Sequence, residues 1–256
     1  MTSASRAELV NRTRIELISS AGGYLHNTLH IPTVTCSVCA GPVDGYNRCY
    51  RCQSALSTAG IADLVACLAY GINSQQSGNM LRHYKDDPMP AVRRRLQTVI
   101  SRILFLGIVL HEPCIGKVVG SPVTLRVTVP SLRKRAGTHP LDDLATGMNA
   151  LDPSVRLSAA TCVHDDRPID NALFTVNQPG SVRGQHVLVL DDTWVTGSRA
   201  QSATLALRAA GAANVSILAI GRWLNTSHTP TKSFISTHLT NDYEPLQCPV
   251  TGGICP

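Results

Sequence analysis

One stretch, HVLVLDDTWVTGSRAQS at residues 186–202, restricts the architecture of this chain more than any other. It opens on an almost unbroken apolar run. Such a run suits a strand covered on both faces in the middle of a parallel sheet, whereas a half-exposed strand alternates apolar and polar residues. The run ends abruptly in Asp191 and Asp192. A short hydroxyl-rich loop around Gly197 follows, and then Ala200, Ala203, Leu207 and Ala210 mark one face of a helix. Gly211 stands where a C′ stop belongs, and NVSILAI at 214–220 reads as the next strand. Strand, helix and strand in series imply a parallel sheet with right-handed crossovers. Ligands of such sheets bind beyond the carboxyl ends of the strands, which is where the two aspartates fall.

Upstream the texture varies. VTLRVTV at 123–129 reads as a strand ending at Pro130, LDDLATGMNAL as a helix, and VRLSAATCV as a strand. Residues from about Gly60 to Leu110 read as mostly helical. After Pro90, Val92, Leu96, Val99 and Ile103 recur at helical spacing, and Arg93, Arg94 and Arg95, with Arg82 and Lys85, give this region a basic face. The chain therefore divides into an N-terminal arm (1–30), a cysteine module (31–56), a basic helical segment (57–112) and an α/β domain (113–256). Hydrophobic residues make up 43%, enough for a core, but aromatics only 4%, so that core is aliphatic. The longest apolar run, ILFLGIVL, is too short to span a bilayer, and the polar beginning of the chain lacks the apolar stretch of a signal peptide. A cytoplasmic protein without a membrane is expected. A net charge of +6 suits a phosphate-bearing ligand or nucleic acid without selecting either.

Nine cysteines are too many for a cytosolic chain unless some serve a metal. Four lie in CSVCAGPVDGYNRCYRCQ, where Cys36 and Cys39, then Cys49 and Cys52, form two C-x-x-C pairs separated by nine residues. Each pair aims two thiolates at one point, and two pairs complete the tetrahedral shell of a structural zinc ion. So small a module has little core, and metal binding supplies most of its folding free energy, ~10–16 kcal/mol in comparable peptides. Cys67 and Cys114 read as small hydrophobes. Cys248 and Cys255, in CPVTGGIC, either join Cys162 and His164 in a second metal site, dock on the ribbon, or belong to a loosely packed end. VHDDRP, with His164, Asp165, Asp166 and Arg167, is either an active-site lid or a polar surface loop.

The Asp191–Asp192 pair can accept hydrogen bonds from vicinal sugar hydroxyls. The loop Thr193–Ser198 offers backbone N–H groups, hydroxyls, a glycine and a helix N-terminus, which together cradle a phosphate. An acidic strand end followed by an N-capping turn explains one aspartate and the helix start, but not the second aspartate, Gly197 and the Thr/Ser cluster together. VLVLDDTWVTGS resembles the phosphoribosyl pyrophosphate (PRPP) motif of type I phosphoribosyltransferases. With the cysteine module in front, residues 36–223 resemble the ComF family of competence-related phosphoribosyltransferase-like proteins. MLRHYKDDP, VTVPSLRKRAGTHPLDDLA and DRPIDNALFTV are similar to further segments of that family.

The resemblance implies a type I phosphoribosyltransferase-like α/β fold, a parallel sheet flanked by helices, with a small N-terminal zinc ribbon. Asp191 and Asp192 would hold the ribose hydroxyls, and Thr193, Val195, Thr196, Gly197, Ser198 and Arg199 would line the 5-phosphate loop. Pro130 and Ser131 would approach the pyrophosphate together with Mg²⁺. Three departures stand out. Val195 replaces a loop threonine, Arg199 stands where another threonine is frequent, and RKRAGTHP differs from the family's basic loop. Trp194 either stacks on a ligand base or packs against the sheet. The expected activity is phosphoribosyl transfer to an acceptor. The alternatives are a ComF-like nucleic-acid-binding protein, using the ribbon and the arginine helix, and a sensor that binds PRPP without turnover.

Overall fold

The computed structural model describes residues 3–132, 138–160 and 168–256. In chain order the elements are α1 (Ser3–Ala21), α2 (Tyr50–Ala55), β1 (Leu64–Ile72), α3 (Gln76–His83) and α4 (Pro90–Leu106). A π-helical turn (Gly107–His111) joins α4 to α5 (Glu112–Val119), and β2 (Leu125–Thr128), α6 (Pro140–Gly147), β3 (Leu157–Ala159) and β4 (Phe174–Val176) follow. Last come α7 (Pro179–Val182), β5 (His186–Trp194), α8 (Ser198–Ala209), β6 (Asn214–Leu224) and α9 (Thr229–His238).

Four strands form one sheet in the order β1-β6-β5-β2, all parallel, and β3 pairs with β4 in a separate antiparallel ribbon. The apolar run of β5 lies between β6 and β2, with Leu188 opposite Ser216 and Val187 opposite Leu125. Its alternate residues enter two different cores. Leu188 and Leu190 face a cluster with Leu81, Tyr84, Leu96, Ile100 and Ile103 from α3 and α4. Val187 and Val189 face Ala200, Ala203 and Leu207 of α8 together with the cysteine module. Both faces are buried, which is why the sequence does not alternate. Gly211, at φ +97°, follows the Ala210 cap of α8, and the Ala212 amide donates to the Leu207 carbonyl at 3.0 Å, as expected of a C′ residue.

The segment 57–112 corrects the sequence reading. It is helical from Gln76 onward, but Leu64–Ile72 is the edge strand of the main sheet, with Leu64 opposite Ser216 and Ile72 opposite Leu224. A nine-residue apolar run has no periodicity that separates a buried strand from a buried helix. A boundary at residue 113 therefore cuts through one sheet. ILFLGIVL also sits within a longer helical run, Pro90–Val119, which is long and apolar enough to cross a membrane by composition. More than half of it is buried, and it packs as a core helix, with Val99, Ile100, Ile103 and Leu104 almost inaccessible. The N-terminal arm contains α1, whose Leu17 and Ala21 are buried in the same core and whose Glu16 accepts from Arg102 of α4 at 2.6 Å.

Candidate functional site

At the carboxyl end of β5 the two aspartates diverge, as successive strand residues must. Asp192 is buried on the α3 side, and its Oδ2 accepts from Tyr84 Oη at 2.8 Å and forms an ion pair with Lys85 Nζ. His139 Nε2 stands 3.4 Å from the same oxygen. Because His139 Nδ1 accepts the Leu141 amide at the start of α6, its ring proton sits on Nε2, toward Asp192. Burial alone would raise the Asp192 carboxyl, but the charges of Lys85 and His139 and the hydrogen bonds from Lys85 and Tyr84 hold it below its ordinary value. Asp191 moves the other way, raised by desolvation and then by the neighbouring Asp192 charge. Its Oδ1 accepts the Asp192 amide at 2.9 Å. Two adjacent carboxylates thus hold different proton affinities, one locked in a cation network and one open to a ligand.

The loop after β5 turns at Gly197, which has φ +80° and is the N-cap of α8. A Cβ there would lie 2.1 Å from the Trp194 ring. Trp194 is buried beneath the loop, so of the two roles open to it the packed one holds. Thr196 Oγ1 and Ser198 Oγ are 3.0 Å apart at the helix entrance. Behind the loop, Arg222 of β6 donates to the carbonyls of Trp194, Val195 and Trp223 at 3.2, 3.3 and 2.6 Å.

Asp191, Asp192, Thr193, Val195, Thr196, Gly197, Ser198 and Arg199 line a single cavity of about 580 Å³, and Pro130 and Ser131 from beyond β2 form its opposite wall. All ten residues expected there from sequence are brought together. The cavity also contains residues not singled out from sequence: Arg82, Lys85, His139 and Trp223. Arg82 stacks over the Trp223 ring at 4.6 Å from its centroid. Lys85 and His139 lie inside stretches quoted above only for their resemblance, and spacing gave no sign that both would converge on Asp192. Arg93, Arg94 and Arg95 are on α4, and the cavity lining includes none of them.

The four cysteines of the N-terminal module converge, with all four sulfurs within 4.8 Å of one another. Cys36, Cys39 and Cys52 are buried. Cys39 Sγ and Cys49 Sγ are 3.8 Å apart. A tetrahedral zinc ion with Zn–S of about 2.3 Å requires sulfurs about 3.8 Å apart, so the cluster fits a structural metal. Hydrogen bonds from Cys39, Cys49 and Cys52 pull Cys36 far below the ordinary thiol range, while Cys36 and Cys39 push Cys49 and Cys52 upward. Four thiolates so close need a cation to ionise together. Arg222 lies between this cluster and the β5 loop, its guanidinium hydrogen-bonded to Cys39 and close to the charges of Cys67 and Cys49.

Cys248 and Cys255 assemble with His111 and Cys114, not with the ribbon. Cys114 is therefore a member of a polar cluster and not a simple hydrophobe, whereas Cys67 is buried in β1 as expected. The partners considered from sequence, Cys162 and His164, lie outside the described residues, as do Asp165, Asp166, Arg167 and the basic loop Arg133–Gly137. Among the described residues, the two groupings suited to a metal are both sulfur-rich, and neither lies in the cavity. No protein-family model matches the chain, and no characterised protein sequence does either.

Proposed function

We propose that this chain is a ComF-like type I phosphoribosyltransferase that binds PRPP and transfers its phosphoribosyl group to an acceptor, with release of pyrophosphate. The observation that carries this reading is the single cavity in which an acidic strand end faces a hydroxyl-lined helix entrance. Asp191 accepts the ribose hydroxyls, and Asp192, held ionised by Lys85, shares that task. The amides of Gly197 and Ser198, with the hydroxyls of Thr196 and Ser198, take the 5-phosphate at the positive end of α8. Val195 contributes backbone alone, and Arg199 of the first helical turn adds a cation to the phosphate side.

The pyrophosphate points toward Pro130, Ser131 and Lys85, where positive charge offsets the charge that develops on the leaving group. Mg²⁺ bound to that pyrophosphate would supply further neutralisation, with the Asp191 and Asp192 carboxylates as its natural oxygen partners. The transition state has oxocarbenium character, so the two carboxylates also stabilise positive charge at the sugar ring. The cysteine module is a zinc ribbon whose metal is structural, since four thiolates leave no open position. It braces the phosphate loop from behind through Arg222.

Phosphorus NMR of PRPP and Mg²⁺ incubated with the chain and a panel of nucleobases and amines tests the activity. Inorganic pyrophosphate accumulating with at least one acceptor, and not with the Asp191→Asn, Asp192→Asn chain, is the expected result. Saturable PRPP binding without pyrophosphate release from any acceptor argues for a sensor, and absence of binding refutes the ligand assignment.

A further inference from the structure

We propose that His111, Cys114, Cys248 and Cys255 form a second structural metal centre, distinct from the ribbon, that takes zinc and clasps residues 240–256 onto the helical core. The four candidate ligand atoms lie within 4.8 Å of one another, and His111, Cys114 and Cys248 are buried while Cys255 is exposed. Cys255 Sγ is 3.6 Å from His111 Nδ1. A tetrahedral zinc ion with Zn–S of about 2.3 Å and Zn–N of about 2.05 Å sets that edge at about 3.6 Å. Three thiolates and one imidazole form a soft donor set that selects zinc over magnesium or calcium.

The surroundings are arranged as a ligand shell requires. His111 Nε2 is 2.8 Å from the Pro245 carbonyl, which can only accept, so Nε2 carries the ring proton and the Nδ1 lone pair faces the sulfurs. A carbonyl in this position orients a metal-bound imidazole and fixes its tautomer. Cys248 Sγ receives the backbone amides of Val250 and Thr251, and the Thr251 side chain bonds to it as well. These contacts favour a thiolate over a thiol. The turn that delivers them is closed by Cys248 N to Gly253 O at 2.9 Å and Gly252 N to Cys248 O at 2.8 Å. Gly252 has φ +79°, and a Cβ there would meet His30 at 2.8 Å, so this tight return depends on glycine.

The helical side is equally specific. His111 ends the π-helical turn and Cys114 lies in the first turn of α5, three residues on and therefore on the same face. A π-turn within a continuous helix shifts the register of side chains and is retained mostly where a site needs it. The segment that completes the shell is otherwise held by polar contacts to the N-terminal region. Glu244 forms an ion pair with Arg14 and exchanges two hydrogen bonds with Asn27, and His30 meets the Pro249 carbonyl at 3.0 Å. Few large apolar side chains anchor it, so a metal ion would supply the missing free energy of docking.

Zinc content of the full-length protein, measured by plasma mass spectrometry after dialysis, tests the centre. Two zinc ions per chain are expected, falling by one in Cys255→Ser and by one, independently, in Cys39→Ser. Because Cys255 is exposed, that substitution removes a ligand with the least disturbance of packing. Cadmium-113 NMR of the wild-type chain provides a reading that needs no variant. Two resonances, from an S₄ and an S₃N shell, are expected. Zinc content unchanged by Cys255→Ser, a single S₄ resonance, or a Cys248–Cys255 disulfide found by alkylation and mass spectrometry of the purified protein would each overturn the proposal.

Discussion

Substituting Gly197 by alanine should damage stability and ligand binding together, through two separable causes. Gly197 has φ +80°, where an L-residue costs roughly 1–2 kcal/mol. Its new Cβ would also lie 2.1 Å from the buried Trp194 ring, which cannot retreat without disturbing the core beneath the loop. Overpacking of this kind costs roughly 1–3 kcal/mol, so the combined loss is about 2–5 kcal/mol. In a chain of this size that lowers Tm by roughly 5–15 °C. Two controls separate the causes. Gly120 has a similar φ of +79° but nothing within 4 Å of a Cβ, so Gly120→Ala should show the backbone cost alone. Gly180 has neither constraint, and Gly180→Ala should stay within about 1 kcal/mol of wild type. Urea denaturation gives the three stabilities, and calorimetric titration of PRPP with Mg²⁺ gives the affinities. If Gly197→Ala were no more destabilising than Gly120→Ala, the close contact with Trp194 would be refuted. If it were destabilised yet bound PRPP normally, the loop would not be the phosphate cradle.

Other consequences follow from the same geometry. Lys85→Met removes a cation from the buried Asp192 and should cost about 3 kcal/mol. Adding Asp192→Asn should recover part of that loss, giving a coupling of about 1–3 kcal/mol in a denaturation cycle, and strict additivity would deny the pair. Because the Asp191 carboxyl is raised by burial and by Asp192, it gains its proton at higher pH than an ordinary carboxylate. PRPP affinity should therefore fall as pH drops below neutral, well before ordinary carboxylates protonate, and Asp191→Asn should flatten that limb. A pH profile flat down to the ordinary carboxylate range would refute the assignment of Asp191 as hydroxyl acceptor. Stripping metal with a strong chelator should lower Tm by more than about 10 °C and weaken PRPP binding, since Arg222 links the Cys39 cluster to the loop carbonyls. Unchanged melting after verified metal loss would show that the ribbon folds without it.

The parts legible in sequence are those fixed by local pattern. The unbroken run of β5 ending in two aspartates, the alanine face of α8 and the stop at Gly211 each announce themselves within a few residues. C-x-x-C spacing does the same for the ribbon. What escaped depends on partners far along the chain. Leu64–Ile72 becomes a strand because Leu64 pairs with Ser216 and Ile72 with Leu224 of β6, and nothing in LVACLAYGI alone excludes a helix. His139 and Lys85 acquire a role only when α3 and α6 bring them to Asp192. His111 and Cys114 meet Cys248 and Cys255 across the whole α/β region, so no spacing rule could find that cluster.

The central claim is a ribose-phosphate site at the end of β5. Its most direct test is calorimetric titration of PRPP with Mg²⁺ into wild-type protein and into the Asp191→Asn, Asp192→Asn variant, with zinc content and folding verified for both. Saturable one-to-one binding by wild type, lost in the variant, is the predicted result. Equal binding by both, or by neither, would contradict it.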